Sequence, residues 1–178
     1  MGTIHLPKPV LLFMAVFSAF PAAFGWVRKR AEEKWGTVAL ESEPFAFETF
    51  TDYYAKSMGE TLPKRLWAFE TLICPDALPE IKCVTNEWEA EFKSFADCPV
   101  ERPLNIDPGY IDLGKLILAS TKDHAHRIYL SKGIFAETTL MYTQRQWKPL
   151  PWTYPDYQSA GYQKFLTQCR EYLIQNKK

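Results

Sequence analysis

The chain of 178 residues carries 21 basic and 21 acidic side chains, and 47% of its residues are hydrophobic and 15% aromatic. Balanced charge excludes a long-range field that would attract nucleic acid or an anionic membrane, and the apolar, ring-rich composition excludes a disordered chain. The length suits one compact unit, so we interpret residues 1–178 as a single domain.

The first long apolar segment, Val10–Val27, has no charged residue and is as long as a membrane span or the apolar part of a signal peptide. Apolar residues recur at helical spacing through the charged stretch that follows, at Phe20, Phe24, Val27, Ala31 and Trp35. A span would stop at the charges, whereas an amphipathic helix continues its apolar stripe through them. We therefore predict a buried strand over Val10–Phe17, then a helix ending at Gly36, in a cytoplasmic protein; a membrane span is the alternative.

The next four segments alternate between strand and helix. Thr37–Phe47 favours extended structure, with Pro44 marking an edge or a bend. Thr51–Met58 is typical of a short capped helix, and Lys64–Ile73, rich in large apolar residues, favours a strand. Leu78–Phe95 has apolar residues at steps of three and four, which predicts a helix facing a sheet.

The C-terminal half begins with Asn105–Gly109, whose residues favour a tight turn. Tyr110–Ser120 fits either a helix or a strand. His126–Leu130 and Ile134–Tyr142, joined by a short glycine-containing loop, predict a β-hairpin.

The proline-rich segment Trp147–Tyr157 cannot form a regular interior element, so we interpret it as an ordered aromatic loop that plugs the core. An amphipathic helix follows from about Ser159. The expected fold is therefore α+β, with a mixed or antiparallel sheet, helices packed on it and an amphipathic helix at the C-terminus.

The four cysteines lack the close Cys-x-x-Cys pairing that zinc sites and thioredoxin-like motifs need: Cys74, Cys83, Cys98 and Cys169. We interpret them as reduced, mostly buried thiols, and a structural disulfide is the alternative.

Six short stretches, spread in order over nearly the whole chain, carry a family resemblance: Pro7–Val10, Phe50–Tyr54, Asp107–Tyr110, Leu118–Lys122, His126–Leu130 and Pro151–Tyr157. On these stretches the chain resembles the uncharacterised prokaryotic family called domain of unknown function 4416. The resemblance implies a soluble single-domain protein and assigns no activity. Some members carry a GTP-binding label, which the residues of this chain have to support.

One stretch, Gly109–Leu116, has the G-x-x-x-x-G-K spacing of a phosphate-binding loop. Leu116 stands where such a loop places a magnesium-binding hydroxyl, and Pro108 precedes it where a buried strand should end. The loop interior is bulky as well. GTP binding is therefore a disfavoured alternative.

Two of the three histidines, His124 and His126, would point to one face of an extended segment and could share a metal ion. A third ligand would have to come from Asp107 or Glu137. Two histidines are too few for a site, so we assign no metal; the sequence leaves any cofactor unknown.

The same region predicts a pocket for an anion, because arginine, lysine and hydroxyl groups together bind phosphate or carboxylate. The candidate ligand-binding residues are Asn105, Asp107, Lys115, Ser120, Thr121, Lys122, His126 and Arg127. His126 is the candidate acid or base. We expect a domain that binds a small phosphate- or carboxylate-bearing molecule, with enzymatic activity undecided; a non-catalytic interaction or structural module is the alternative.

Overall fold

The computed structural model describes residues 2–51, 53–95 and 98–176, so Asp52, which belongs to one of the resembling stretches, lies outside the described residues. The helices are α1 (Pro21–Trp35), α2 (Ala55–Met58), α3 (Leu78–Phe95) and α4 (Ala160–Asn176). The strands are β1 (Val10–Phe17), β2 (Val38–Glu41), β3 (Phe45–Ala46), β4 (Pro63–Ile73), β5 (Asn105–Ile111), β6 (Lys115–Ser120), β7 (Ile128–Ser131), β8 (Ile134–Thr143) and β9 (Gln146–Pro149).

The strands form one antiparallel sheet in the order β2-β4-β1-β5-β6-β8-β7, with β3 on the outer side of β4 and β9 on the outer side of β8. Helices cover both faces. The α+β prediction is confirmed, and the sheet is antiparallel rather than mixed.

Strand β1 is apolar throughout because it lies near the middle of the sheet and is buried on both faces. Leu11 and Phe13 pack in the cluster that includes α4. Leu12 and Met14 pack on the opposite face, in the cluster that includes α1 and α3. The fold thus has three layers, with α4 on one side of the sheet and α1 and α3 on the other.

The prediction for the N-terminal apolar segment is confirmed, with a strand over Val10–Phe17 and a helix that ends before Gly36. Pro21 is the first residue of that helix, a position where its missing N–H costs no hydrogen bond. Within the described ranges, none of the helices is both long enough and apolar enough to cross a membrane.

The predicted tight turn over Asn105–Gly109 is wrong, because these residues form the first part of β5. They pair with β1 along their whole length, but pairing with β6 begins only at Gly109, opposite Leu118. Pro108 has no N–H to continue that ladder. A side chain at position 109 would place Cβ 2.2 Å from the carbonyl oxygen of Ile117, so only glycine allows this close approach. The sheet therefore splits between β5 and β6.

The ambiguous segment Tyr110–Ser120 is the end of β5, a turn, and β6. The predicted hairpin is confirmed as β7 and β8. The aromatic segment Trp147–Tyr157 is only partly irregular, because its first residues belong to the edge strand β9 and its last residues to a 3₁₀ turn, Pro155–Gln158. Proline is tolerated in β9 because an edge strand does not need every N–H.

The cysteines differ in exposure. Cys169 is buried, Cys74 is exposed, and Cys83 and Cys98 are intermediate, so the prediction of mostly buried thiols is wrong for Cys74. Cys74, Cys83 and Cys169 are free thiols.

Candidate functional site

The split between β5 and β6 opens into a cavity of about 660 Å³. Its walls come from the start of β5, the end of β6 with the loop that follows, one side of α3, the segment around α2, and the 3₁₀ turn before α4. Because these segments are far apart in sequence, the cavity is a product of the tertiary fold.

Side chains of α3 hold the free edge of β5. The ammonium of Lys82 donates to the carbonyl oxygen of Ile106 (2.8 Å), and the N–H of Ile106 donates to Glu89 Oε1 (2.7 Å). Lys82, Asn86 and Glu89 recur at helical spacing and all line the cavity. These bonds replace those that β6 would otherwise provide. The backbone N–H and carbonyl oxygen of Ile106 therefore keep hydrogen-bond partners where the two strands separate.

A chain of polar contacts continues along β5. Arg102 Nη2 donates to Asn105 Oδ1 (2.6 Å), and Asn105 Nδ2 donates to Asp107 Oδ2 (2.9 Å). The ammonium of Lys82 lies 3.6 Å from Asp107 Oδ1. These contacts hold the carboxylate of Asp107 in place. Because the side chain is 34% exposed, the carboxylate remains accessible from the cavity.

Burial shifts the pKa of two ionisable residues that line the cavity, Glu89 of α3 and Tyr54 at the start of α2. Burial raises the pKa of Glu89 above its ordinary range, although Lys82 and the N–H of Ile106 oppose the shift. Burial and the neighbouring charge of Asp107 raise the pKa of Tyr54 to about 12, which keeps its phenol protonated at neutral pH.

Arg127 is fixed at the opposite side of the split. Its Nε donates to Glu137 Oε2 (2.7 Å), and its Nη1 donates to Ser120 Oγ (2.7 Å) and to the carbonyl oxygen of Lys122 (3.0 Å). The Arg127 and Glu137 side chains are both buried, and Thr139 adds a hydrogen bond to the carboxylate. In the described part of the chain, Arg127 Nη2 has no hydrogen-bond partner.

Ser120 and Lys122 complete this corner. Ser120 Oγ accepts from Arg127 and from the N–H of Lys122 (3.1 Å), so the hydrogen of its hydroxyl remains for another acceptor. Lys122 is exposed, and its ammonium lies 5.9 Å from the ring of Tyr53. Among the residues that the structure describes, it is the one lysine or arginine lining the cavity that has no carboxylate within 4.0 Å.

The wall formed by β4 and the 3₁₀ turn before α4 contains a buried ion pair, on the face of the sheet that α4 covers. Lys64 of β4 lies opposite Phe17 of β1, and its ammonium is 2.8 Å from Asp156 Oδ2. The hydroxyl of Tyr162 donates to the same oxygen (3.0 Å). The ammonium also lies 4.4 Å from the ring of Phe47, so the charge is enclosed by a carboxylate and aromatic faces.

Tyr157 stands beside this pair with a hydroxyl that has no hydrogen-bond partner among the described residues. The residue is 3% exposed. Burial and the charges of Asp156, Asp107 and Glu137 raise its pKa well above the ordinary value. The phenol is therefore a neutral donor whose hydroxyl has no acceptor among the described residues.

Six of the eight predicted ligand-binding residues line this cavity: Asn105, Asp107, Ser120, Thr121, Lys122 and Arg127. Lys115 lies elsewhere, where its ammonium pairs with Asp112 (2.8 Å). His126 is outside the lining too; its ring stacks on Trp152, and its Nε2 lies 3.1 Å from Glu137 Oε2. Any effect of His126 on the cavity would therefore pass through Glu137, and its role as acid or base stays a prediction.

The two motif hypotheses have clear structural outcomes. The stretch with phosphate-loop spacing is a hairpin, with Gly109 inside β5 and Gly114 in the turn, and β6 follows it instead of a helix. His124 lines the cavity and its ring centre is 5.8 Å from that of His126. Within the described ranges, no group of three or more histidine, cysteine or acidic residues could hold a metal ion.

The sequence analysis did not identify the charged residues on the other walls: Lys64, Lys82, Glu89, Arg102 and Asp156. Signals for two of the walls were present. Lys64 shares the strand alternation of Leu66 and Ala68, which face the core. The spacing of Lys82 and Glu89 on α3 marks a polar stripe.

The resembling stretches converge on the cavity, since each of the six except Pro7–Val10 contributes a lining residue. The sequence profile of a family described as Domain of unknown function (DUF4416) matches residues 8–172. No curated protein and no solved structure matches the chain.

Proposed function

The chain belongs to the DUF4416 family, and because that membership assigns no activity, we propose from the cavity itself that the protein binds a small phosphate- or carboxylate-bearing ligand. The observation that carries the proposal is the corner formed by Ser120, Lys122 and Arg127. There, three side chains retain hydrogen-bond donors that no described residue uses.

The corner suits an anion because it is already organised. Glu137 fixes the guanidinium of Arg127, so little side-chain entropy is lost when a ligand binds its remaining nitrogen. Lys122 supplies a positive charge that no carboxylate within ion-pair distance neutralises. Phosphate and carboxylate oxygens are the acceptors that match this donor set.

Isothermal titration and thermal shift with phosphorylated and carboxylated metabolites test the proposal. A ligand at about 100 times its dissociation constant should stabilise the protein by about 2.7 kcal/mol. Lys122→Ala should weaken binding without changing the stability of the free protein, because Lys122 is exposed. Lys164→Ala, an exposed lysine on α4 that is outside the cavity, is the matched control.

Two results would refute anion binding. One is a wild-type protein that no anion stabilises. The other is equal affinity in Lys122→Ala and Lys164→Ala. Arg127→Ala is a poor test, since removal of the arginine side chain leaves Glu137 buried without its main partner.

The free thiols of Cys74 and Cys169 support a cytoplasmic location as part of the proposal.

A second candidate function, a protein-interaction module, is favoured by β7. This strand is at the end of the sheet order, and its residues Ile128, Tyr129 and Leu130 are exposed, Ile128 by 72%. An apolar edge strand with unpaired backbone groups is a template for another strand. The structure of β7 fits pairing with the same strand of a second copy.

Light scattering after size exclusion tests this second candidate. Pairing through β7 predicts a dimer that Ile128→Lys converts to a monomer. Ile174→Lys, a change at an exposed isoleucine of α4, is the control and should leave the mass unchanged. A monomeric wild-type protein would exclude self-association through this edge.

A further inference from the structure

The unpartnered hydroxyl of Tyr157 narrows the chemistry of the ligand. A buried hydroxyl without a hydrogen bond costs free energy, and such groups are rare in folded proteins. Tyr157 lines the cavity, and its phenol stays protonated because burial and nearby carboxylates raise its pKa. It therefore needs an acceptor that the described residues do not supply.

A second residue that lines the same cavity, Asp107, is an acceptor with unused capacity. Asp107 receives one hydrogen bond from Asn105 and a longer contact from Lys82, although a carboxylate offers about four acceptor positions. Its exposed fraction faces the cavity. A ligand that contacts both residues must therefore accept a hydrogen bond from Tyr157 and donate one to the carboxylate of Asp107.

Few chemical groups satisfy both demands. A phosphate or carboxylate accepts from Tyr157 but is repelled by Asp107, and an ammonium pairs with Asp107 but cannot accept. A hydroxyl does both. The aromatic residues of the cavity, Phe50, Tyr53 and Tyr54 among them, offer apolar faces for the C–H groups between hydroxyls.

We propose that the ligand is a polyhydroxylated anion, a sugar phosphate or a sugar acid, whose hydroxyls contact Tyr157 and Asp107 while its anionic group contacts Ser120, Lys122 and Arg127. This rests on the proposed function, because it assumes the anion site. A volume of about 660 Å³ suits a ligand of this size.

Titration calorimetry with matched pairs of probes tests the inference. Glycerol phosphate and gluconate carry the hydroxyls, whereas propyl phosphate and hexanoate have the same anionic groups without them; ribose phosphate extends the series. The wild type should bind each hydroxylated probe at least about tenfold more tightly than its match, the value of one good hydrogen bond.

Tyr157→Phe is the decisive variant because it removes only the unpartnered oxygen. The free protein should be at least as stable as the wild type, since no described contact is lost. Its affinity for the hydroxylated probes should fall about tenfold, and its affinity for propyl phosphate should be unchanged. Lys122→Ala should weaken both members of each pair.

The outcomes separate the two proposals. If matched probes bind equally and Tyr157→Phe changes nothing, the polyol inference is wrong and anion binding stands. If no probe binds the wild type, the anion site fails and the polyol inference fails with it.

Discussion

The ammonium of Lys64 lies 2.8 Å from Asp156 Oδ2, and each side chain is only 3% exposed. The two residues are 92 positions apart, so the pair connects β4 to the turn before α4 and closes one wall of the cavity. An ion pair at this depth has given up its hydration, and each charge depends on the other.

Asp156→Ala should therefore be strongly destabilising. It leaves the ammonium of Lys64 buried without a counter-charge, and such changes cost about 3–5 kcal/mol. Chemical denaturation monitored by circular dichroism measures the loss. The double variant Lys64→Met, Asp156→Leu removes both charges and should recover most of it.

Glu80→Ala is the control for this pair, because it removes a carboxylate from an exposed ion pair with Lys132. Exposed pairs contribute little to stability. A similar loss in Glu80→Ala and Asp156→Ala would contradict the importance of burial.

Arg127→Ala should have a comparable effect on stability for the same reason. Glu137 is buried and would keep only His126 and Thr139 as partners. We expect a loss of about 3–5 kcal/mol. Arg127→Lys keeps the charge but not the planar fork of donors, so its unfolding free energy should lie between those of the wild type and Arg127→Ala. A loss under about 1 kcal/mol in Arg127→Ala, the value of an exposed pair, would show that Glu137 is solvated.

Local patterns predicted the elements whose own residues decide their structure. The continuous apolar run of Val10–Phe17 and the helical spacing of Leu78–Phe95 were sufficient, and both elements lie where expected. The prediction of a turn over Asn105–Gly109 was wrong because proline and glycine are typical of turns. In the structure both residues lie in β5, at the point where β5 separates from β6. That separation depends on how β1, β5 and β6 are arranged, which the local sequence does not determine.

The residues of the cavity likewise divide into those that the local sequence predicts and those that only the tertiary fold brings together. Ser120, Lys122 and Arg127 are close in sequence, so a cluster of donors was visible in the chain. Asp156 and Lys64 meet only through the packing of the 3₁₀ turn on β4, and no local pattern links them.

Gly109→Ala should test whether the close approach of β5 and β6 sets the split. The new methyl carbon would lie 2.2 Å from the carbonyl oxygen of Ile117, so the backbone has to move. Overpacking of this kind costs about 1–3 kcal/mol, and displacement of β6 should also weaken ligand binding at Ser120. Thermal denaturation and titration calorimetry measure the two effects.

The matched control is Gly114→Ala in the following turn. There the added carbon would meet Asp112 Oδ1 at 3.6 Å, an ordinary contact. Equal losses of stability in the two variants would show that flexibility of glycine, and not the close approach, is responsible.

Glu89→Gln should change how stability depends on pH. Burial raises the pKa of Glu89 in the folded protein above its ordinary value of 4.5, so the folded state holds this proton more tightly than the unfolded state. The folded protein is therefore favoured at low pH, and this contribution is lost as pH rises through the raised pKa. Glutamine keeps the acceptor for the N–H of Ile106 and stays neutral.

The stability of Glu89→Gln relative to the wild type should thus increase as the pH rises from the ordinary pKa of glutamate through the raised pKa of Glu89, because only the wild type develops a buried negative charge there. Denaturation at a series of pH values measures the difference, in which the titrations shared by both proteins cancel. Glu87→Gln, on the exposed side of the same helix, controls for the loss of one acidic side chain. A difference that shrinks with rising pH would mean that Lys82 and Arg102 stabilise the Glu89 carboxylate more than burial penalises it.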